Sequence, residues 1–332
     1  MMSFRDADRH TGMTYNTPVM ELDDHAAFGA LTERHRRELQ LHCYRMLGSL
    51  EESEDVVQET FLRAWRRRET YAGRSTVRAW LYRIATNACL DALQRRPRRP
   101  QGGEVPWLQP YPDELLEGIA EPDAEPDAKV VAKETIELAF LVAIQHLPPK
   151  TRAVLILRDV LDWPAKDTAA LLETSVAAVN SALQRARAGL KEHLPERRLE
   201  WAPGADPTEA ERELLDRYIE ASDRADAHAL AALMREDSTW SMPPEPGLWR
   251  GRDAIVASWI EGGFGTAEFG RFRCLRTSAN RQPAVACYLQ KPGQAEFGAL
   301  ALDVLRIEEG EIADITAFTS SVFPAFGLPP AL

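Results

Sequence analysis

Residues 176–191, VAAVNSALQRARAGLK, leave little choice of local structure. Val176, Val179, Leu183, Ala186 and Leu190 recur at the spacing of one helix face. The other positions hold Asn180, Ser181, Gln184, Arg185, Arg187 and Lys191, all side chains that can donate to phosphate oxygens and base edges. A short helical run, Ala165 to Glu173, precedes this stretch across Thr174-Ser175. A helix, a tight turn and a second helix with a basic polar face make the pattern of a helix-turn-helix. The same residues also suit an ordinary amphipathic hairpin in an all-helical protein, and the stretch alone leaves both open.

Charge distribution bears on that choice. The 332-residue chain, long enough for two or three domains, carries a formal net charge of −11, which argues against nucleic acid at first sight. Residues 24–100, however, hold fifteen Arg, no Lys and ten acidic residues. Residues 101–128 hold eight acidic residues and no basic one, and from Trp201 onward twenty acidic residues face twelve basic. Such asymmetry implies separate modules, with a front able to bind polyanions while the whole stays acidic. The four cysteines, Cys43, Cys89, Cys274 and Cys287, fall singly. They read as reduced, buried residues of a cytoplasmic protein, with no metal site. No run is long and apolar enough for a membrane span, and the N-terminus lacks a signal-peptide core. Residues 1–23 are polar and unpatterned; they read as a disordered tail, with Met13 or Met20 as alternative starts.

Residues 24–96 read as nearly continuous helix, broken at Gly48-Ser49 and around Ala72-Gly73. In the segment 55–65, Val57, Phe61, Ala64 and Trp65 share one face, with Asp55, Gln58, Glu59 and Arg63 away from it. Further on, Val77, Leu81, Ile84, Ala85 and Ala88 form a core stripe. Thr76, Trp80, Arg83 and Asn87 line a second stripe that mixes an aromatic, a cation and an amide. That mixture suits a melted strand, and equally a solvated face with one half-buried Trp. Residues 98–128 are Pro-rich and acidic and read as a solvated, extended linker, in which Trp107, Leu108 and Tyr111 suggest a docked anchor.

Residues 129–197 form a second helical module. Beyond it the pattern changes to helices at about 208–222, 226–235 and 253–261, a strand carrying Trp240 and Met242, and strand-like runs at 272–277, 284–290, 296–307 and 312–319. Pro292-Gly293 and Glu309-Gly310 punctuate them as hairpin turns. Helices followed by an antiparallel meander imply an α+β domain over 198–332.

The motifs Asp55-Val-Val-Gln-Glu-Thr-Phe-Leu-Arg-Ala-Trp65 and Ala79-Trp-Leu-Tyr-Arg-Ile-Ala-Thr-Asn-Ala-Cys-Leu-Asp91 resemble domain two of extracytoplasmic-function (ECF, group 4) sigma factors of the sigma-70 family. Leu147-Pro-Pro-Lys-Thr-Arg-Ala-Val-Leu155 and the helix-turn-helix resemble their domain four. The rear resembles the SnoaL-like, nuclear-transport-factor-like cone that ends one subset of these proteins. The matching stretches are Trp240-Ser-Met-Pro-Pro244, Trp249-Arg-Gly-Arg252, Asn280-Arg-Gln-Pro-Ala284, Gly310-Glu-Ile-Ala-Asp-Ile315 and Phe323-Pro-Ala-Phe-Gly-Leu-Pro329. The phrase Trp107-Leu-Gln-Pro-Tyr-Pro112 is similar to that subset's linker.

The resemblance implies a multidomain bacterial transcription initiation factor: two all-α sigma domains (24–97 and 129–197) joined by the linker and followed by the cone. It implies that Asp55, Gln58, Glu59 and Arg63 dock on the large clamp subunit of core RNA polymerase, with the flap subunit a further partner. Tyr71, Arg74, Ser75 and Thr76 would belong to the loop that captures a flipped base of the −10 element, and Trp80, Arg83 and Asn87 would hold the melted strand. Asn180, Ser181, Gln184 and Arg185 would enter the major groove of the −35 element, with Ser175, Arg187 and Lys191 on phosphates.

For the rear domain, the fold class hosts enzymes and binding modules alike. Asp303, alone in the apolar run 299–305, is the one acid-base candidate, but no carboxylate–His pair accompanies it. Trp240, Met242, Trp249, Trp259, Phe264 and Tyr288 read first as an aromatic core of the cone, and alternatively as the lining of a small-molecule pocket. The expectation is a non-enzymatic, cofactor-free cytoplasmic protein, monomeric when free, whose rear domain packs on domain two and the linker and regulates in cis. The alternatives are a rear domain that is an enzyme or sensor for a small hydrophobic ligand, and a dimeric repressor using the helix-turn-helix alone.

Overall fold

In the computed structural model the described residues are 25–71, 76–96, 105–117, 136–194 and 209–332. The tail at 1–23, Arg74, Ser75, both ends of the linker and the boundary near 197 lie outside them.

The front module is three helices: α1 (His25–Leu47), α2 (Leu50–Arg66) and α3 (Val77–Arg95). Each break has a local cause. Gly48, at φ +72°, reverses the chain after α1; a Cβ there would stand 3.1 Å from Gln145 Cδ. Ser49 caps α2 by accepting from Glu52 N, and Thr76 caps α3 by accepting from Ala79 N. The core between them includes Leu39, Cys43, Leu47, Val57, Ala64, Leu81, Ala85 and Cys89.

Part of the expected linker is folded. Val105, Leu108 and Tyr111 are buried, and Gln109 is built into the α1–α2 junction. Its N–H donates to Gly48 O (3.0 Å), while its Oε1 accepts from Ser49 Oγ (2.8 Å) and Glu51 N (3.0 Å). Tyr44 OH donates to Gln109 O at 2.7 Å. Residues 105–117 are therefore not solvated chain, because their apolar side chains and amides complete the front module's surface.

The second module holds α4 (Leu138–Gln145), α5 (Pro149–Leu155) running into a π-turn (Ile156–Val160), α6 (Ala165–Leu171) and α7 (Val176–His193). It packs directly on the front module. Arg152 is 0 % exposed, and its guanidinium donates to the carbonyls of Met46 at the end of α1, Gln145 (2.8 Å) and Leu147 (3.2 Å), and to Gln145 Oε1 (2.6 Å). Tyr82 of α3 meets the ring of Trp163 at 5.3 Å.

The rear domain opens with α8 (Glu209–Asp223) and α9 (Ala227–Ala231). Strands β1 (Met234–Ser241) and β2 (Leu248–Arg250) follow, then α10 (Arg252–Glu261), β3 (Arg271–Ala279), β4 (Gln282–Gln290), β5 (Gly298–Glu308) and β6 (Glu311–Thr319). The sheet order is β2-β1-β6-β5-β4-β3, antiparallel except for the parallel β1–β6 pair. One face packs on α8 and α10 through Leu305, Ile307, Val285, Ile315, Tyr218 and Ile255. The other face, with Ala284, Ala286, Tyr288, Leu302, Val304 and Phe318, joins the same continuous core as the two helical modules.

The helix expected at 226–235 is shorter than its sequence pattern, because Met234 starts a strand paired with Ile312. Strand β2 and the two-residue turn Asn280-Arg281 between β3 and β4 were not foreseen. Both turn residues have positive φ (56° and 59°), the geometry of a type I′ hairpin.

Candidate nucleic-acid interface

Helix α7 separates its faces as a groove-binding helix requires. Val179, Leu183 and Ala186 are buried, and Asn180, Ser181, Gln184, Arg185 and Lys191 are exposed. Three details depart from the sequence pattern. Val176 is 42 % exposed rather than part of the core stripe. Ser175 Oγ is engaged as the helix cap, accepting from Ala178 N at 3.1 Å, which fixes the side chain over the first turn and leaves only its O–H to donate to a phosphate. Arg187 is held in a bidentate pair with Asp159 (2.9 and 2.8 Å), so its guanidinium braces α7 against the π-turn instead of standing free for phosphate.

On α3 the expected mixed stripe divides. Arg83 and Asn87 are exposed one turn apart, and Thr76 is the exposed cap about two turns before Arg83. Trp80 is not on that surface. It is 4 % exposed and packs on Tyr71, also buried, with ring centroids 5.4 Å apart. In this arrangement neither ring is available to stack on a base, because the helix buries more of its circumference than one apolar stripe.

Helix α2 presents Asp55 and Gln58 to solvent, with Glu59 and Arg63 half-buried. Arg63 joins Glu59 (2.7 Å) and Asp91 (2.9 Å), tying α2 to α3, and these hydrogen bonds raise its already high pKa. Leu62, 52 % exposed on this helix, belongs with that face and was missed. An apolar residue at the centre of a charged face is the signal that would have found it.

The β3–β4 turn inserts between the helical modules. Asn280 is 0 % exposed, and its side chain spans three segments. Its Nδ2 donates to Tyr44 OH (2.9 Å) on α1 and to Ile136 O (2.7 Å) ahead of α4, and its Oδ1 accepts from Tyr111 N at 2.7 Å. Its backbone N–H donates to Tyr111 O at 2.9 Å. Around it, Arg281 N donates to Asp113 Oδ1 and Leu138 N donates to Gln282 Oε1. The Tyr44 and Tyr111 rings meet at 4.7 Å with a 46° tilt, and Trp107 lies under the Arg96 guanidinium at 4.7 Å. Leu108 and Tyr111 thus sit in the junction core, with Trp107 at its edge.

Inside the cone, Trp240 contacts Trp249 (4.5 Å) and Trp259 (5.8 Å), and Trp259 contacts Phe264 (6.1 Å). These rings pack on each other. Met242 falls just beyond β1, half-buried. Tyr288 belongs to the opposite sheet face, against Phe323, with its OH donating to Pro329 O (3.0 Å), so it cannot line the same cavity. Asp303 does point into the cone. Its Oδ2 accepts from Tyr218 OH (3.0 Å) and lies 3.6 Å from Cys287 Sγ, whose thiol is 3.3 Å from that of Cys274. Burial pushes the Asp303 carboxyl up to about 6, although hydrogen bonds from Tyr218 and Cys287 oppose the shift.

That shift has a stability consequence. A carboxyl whose folded pKa lies above its unfolded value near 3.8 binds more protons when folded, so its contribution falls as pH rises from about 4 through 6. Asp303→Asn keeps an acceptor for Tyr218 without the charge. It should raise rear-domain stability at pH 8 by about 1–3 kcal/mol and flatten the melting temperature between pH 4 and 7. Equal melting curves for the two chains at pH 8 would contradict the buried charge.

Family models match three segments: Sigma-70 region 2 over residues 31–99, Sigma-70 region 4 over 137–190 and a SnoaL-like domain over 215–315. The chain is 41 % identical over 323 residues to the ECF RNA polymerase sigma factor SigG of Mycobacterium tuberculosis, covering 92 % of this chain and 85 % of SigG. The chain belongs to the ECF sigma factors. Within this sigma-factor family it is also 29 % identical to SigJ of the same organism over 227 residues, covering 67 % of this chain and 68 % of SigJ. SigW of Bacillus subtilis is 29 % identical over 175 residues, covering 52 % of this chain and 90 % of SigW. The crystal structure of SigJ shares the fold of this sigma factor at a TM-score of 0.58 and 23 % identity, covering 91 % of this chain and 99 % of that one.

Proposed function

We propose that this sigma factor binds core RNA polymerase through the exposed face of α2 and recognises promoters through α3 and α7, in the cytoplasm and as a monomer when free. In this reading Asp55, Gln58, Leu62 and Glu59 meet the clamp subunit, and Arg63 acts by holding α2 on α3. Arg83, Asn87 and Thr76 meet the −10 strand, with Tyr71 and Trp80 joining only if their packing opens. Asn180, Ser181, Gln184 and Arg185 read the −35 element, and Lys191 meets phosphate.

The rear domain acts as a restraint in cis. The observation that carries this is Asn280, which joins α1, the Tyr111 segment and the start of the second module through one buried side chain. Its physical consequence is spacing. The −10 and −35 elements are separated by about 25 base pairs, roughly 85 Å along the duplex at 3.4 Å per pair. A module of some 60 residues has a radius of gyration of about 10 Å. Modules that touch through Tyr82, Trp163 and Arg152 do not reach both elements, so the junction must open for initiation. A few kcal/mol of differential affinity for polymerase suffices.

Run-off transcription with core polymerase tests this on promoters selected from a random library, comparing the full chain with a truncation after Arg197. Faster initiation by the truncation is expected, and equal initiation would make the rear domain a bystander. A truncation that is folded but inactive would make the rear domain a working part of the initiation complex, and no transcription from either would sink the sigma function.

One observation favours a second reading, a cone that senses or transforms a small hydrophobic ligand: the raised pKa of Asp303 beside Tyr218. Against it stands the packing of Trp240, Trp249 and Trp259 on one another in the cone.

A further inference from the structure

Val176 is the first residue of α7, and its apolar side chain is left 42 % exposed while Val179, one turn of the same stripe further on, is buried. The helix start does not need it, because Ser175 Oγ already caps the first turn. Its surroundings are those of an approach surface. Ala177 and Ala178 beside it are exposed and small, and Asn180, four residues on and therefore stacked next to it on the helix, is exposed as well. In a helix-turn-helix the N-terminal residues of the second helix contact base edges in the major groove. Only thymine presents a methyl group there, and it is read by apolar contact, whereas Asn is matched to the N6 and N7 of adenine.

We propose that Val176 reads the C5-methyl of one thymine in the −35 element, next to the base contacted by Asn180. The inference rests on the reading of α7 as the −35 helix. The occupant is DNA rather than a protein partner, since the patch is a single apolar side chain continuous with the exposed Asn180, Ser181, Gln184 and Arg185 row. Val176 is thus a specificity residue. It selects T·A at one position by burying its methyl groups against the thymine methyl, and it contributes little to overall affinity.

The test uses holoenzyme assembled from the full chain and core polymerase, on a library-selected promoter in which each −35 thymine is replaced in turn by deoxyuridine. That replacement deletes the methyl and leaves every hydrogen bond of the base pair in place. Wild type should lose roughly 3- to 5-fold in initiation at one position, the size expected for burying one methyl-sized group. Val176→Ala should lose nothing further at that position and respond as wild type at the others, and Val176→Thr, which keeps one methyl, should fall between. Because the side chain is exposed, the melting temperature of the variants should match wild type. Identical deoxyuridine profiles for wild type and Val176→Ala, or a wild-type profile with no sensitive position, would overturn the proposal and point to a protein contact instead. If scrambling the whole −35 element left initiation unchanged, the assignment of α7 to that element would fail first, a result the single-methyl profiles cannot imitate.

Discussion

Asn280→Gly should release the rear domain from the two helical modules without unfolding it. Glycine adopts the φ of +56° required at this turn position at no steric cost, so the β3–β4 hairpin persists. What disappears is the side chain alone, which leaves Tyr111 N and Ile136 O without their partners in a buried junction. Each orphaned group costs about 1–3 kcal/mol, so the junction should weaken by about 3 kcal/mol, roughly a hundredfold in the closed-to-open ratio. Hydrogen exchange at Tyr111 and Leu138 should accelerate by that order, while amides of β4–β5 keep their protection. Uniform loss of protection would show that the turn is needed for the rear fold itself, and no change would show that the junction is held elsewhere.

Arg152→Met carries the other large effect, and it acts between the helical modules. Methionine fills most of the same volume but donates nothing, so the carbonyls of Met46, Gln145 and Leu147 and the Gln145 side chain lose their common donor. The expected cost is about 3–5 kcal/mol, set by buried acceptors left unmet. Because Met46 ends α1 while Gln145 and Leu147 flank the start of α5, part of that loss falls on docking of the second module. A variant with an unchanged melting temperature and unchanged protection at α4 would contradict the role assigned to this guanidinium.

These two residues also show where sequence patterns stop. The helical period placed α1, α2, α3 and α7 to within a few residues, and the turn dipeptides placed the later strands. Both signals are local. Asn280-Arg281 escaped because the turn lacks the glycine that usually marks a type I′ hairpin, and only the positive φ at both positions reveals it. Arg152 escaped because an isolated arginine is ordinarily read as surface, whereas here backbone carbonyls at helix ends supply its partners. Trp80 was placed with Arg83 and Asn87 because they share helical spacing, yet period alone does not say how wide a face the neighbours cover. Tyr288 is expected among the pocket aromatics, on the side of the sheet that Asp303 faces. Asp303 pairs with Val285, and strand alternation from Val285 to Tyr288 puts the tyrosine on the opposite face. The interface between modules has no period at all, and that is where the regulatory reading resides.

The central claim is that the free protein keeps its two DNA-facing helices too close for a promoter. The four native cysteines are buried, so spin labels on cysteines substituted for exposed Gln94 of α3 and Glu192 of α7, neither assigned to DNA, report the spacing selectively. Pulsed dipolar spectroscopy on the free full-length chain should give one narrow distance under about 60 Å, the combined breadth of two touching modules of this size. Core polymerase with promoter DNA should replace it by a distance near 85 Å. A long or broad distribution in the free chain, or the short distance persisting in a transcribing complex, would contradict the account.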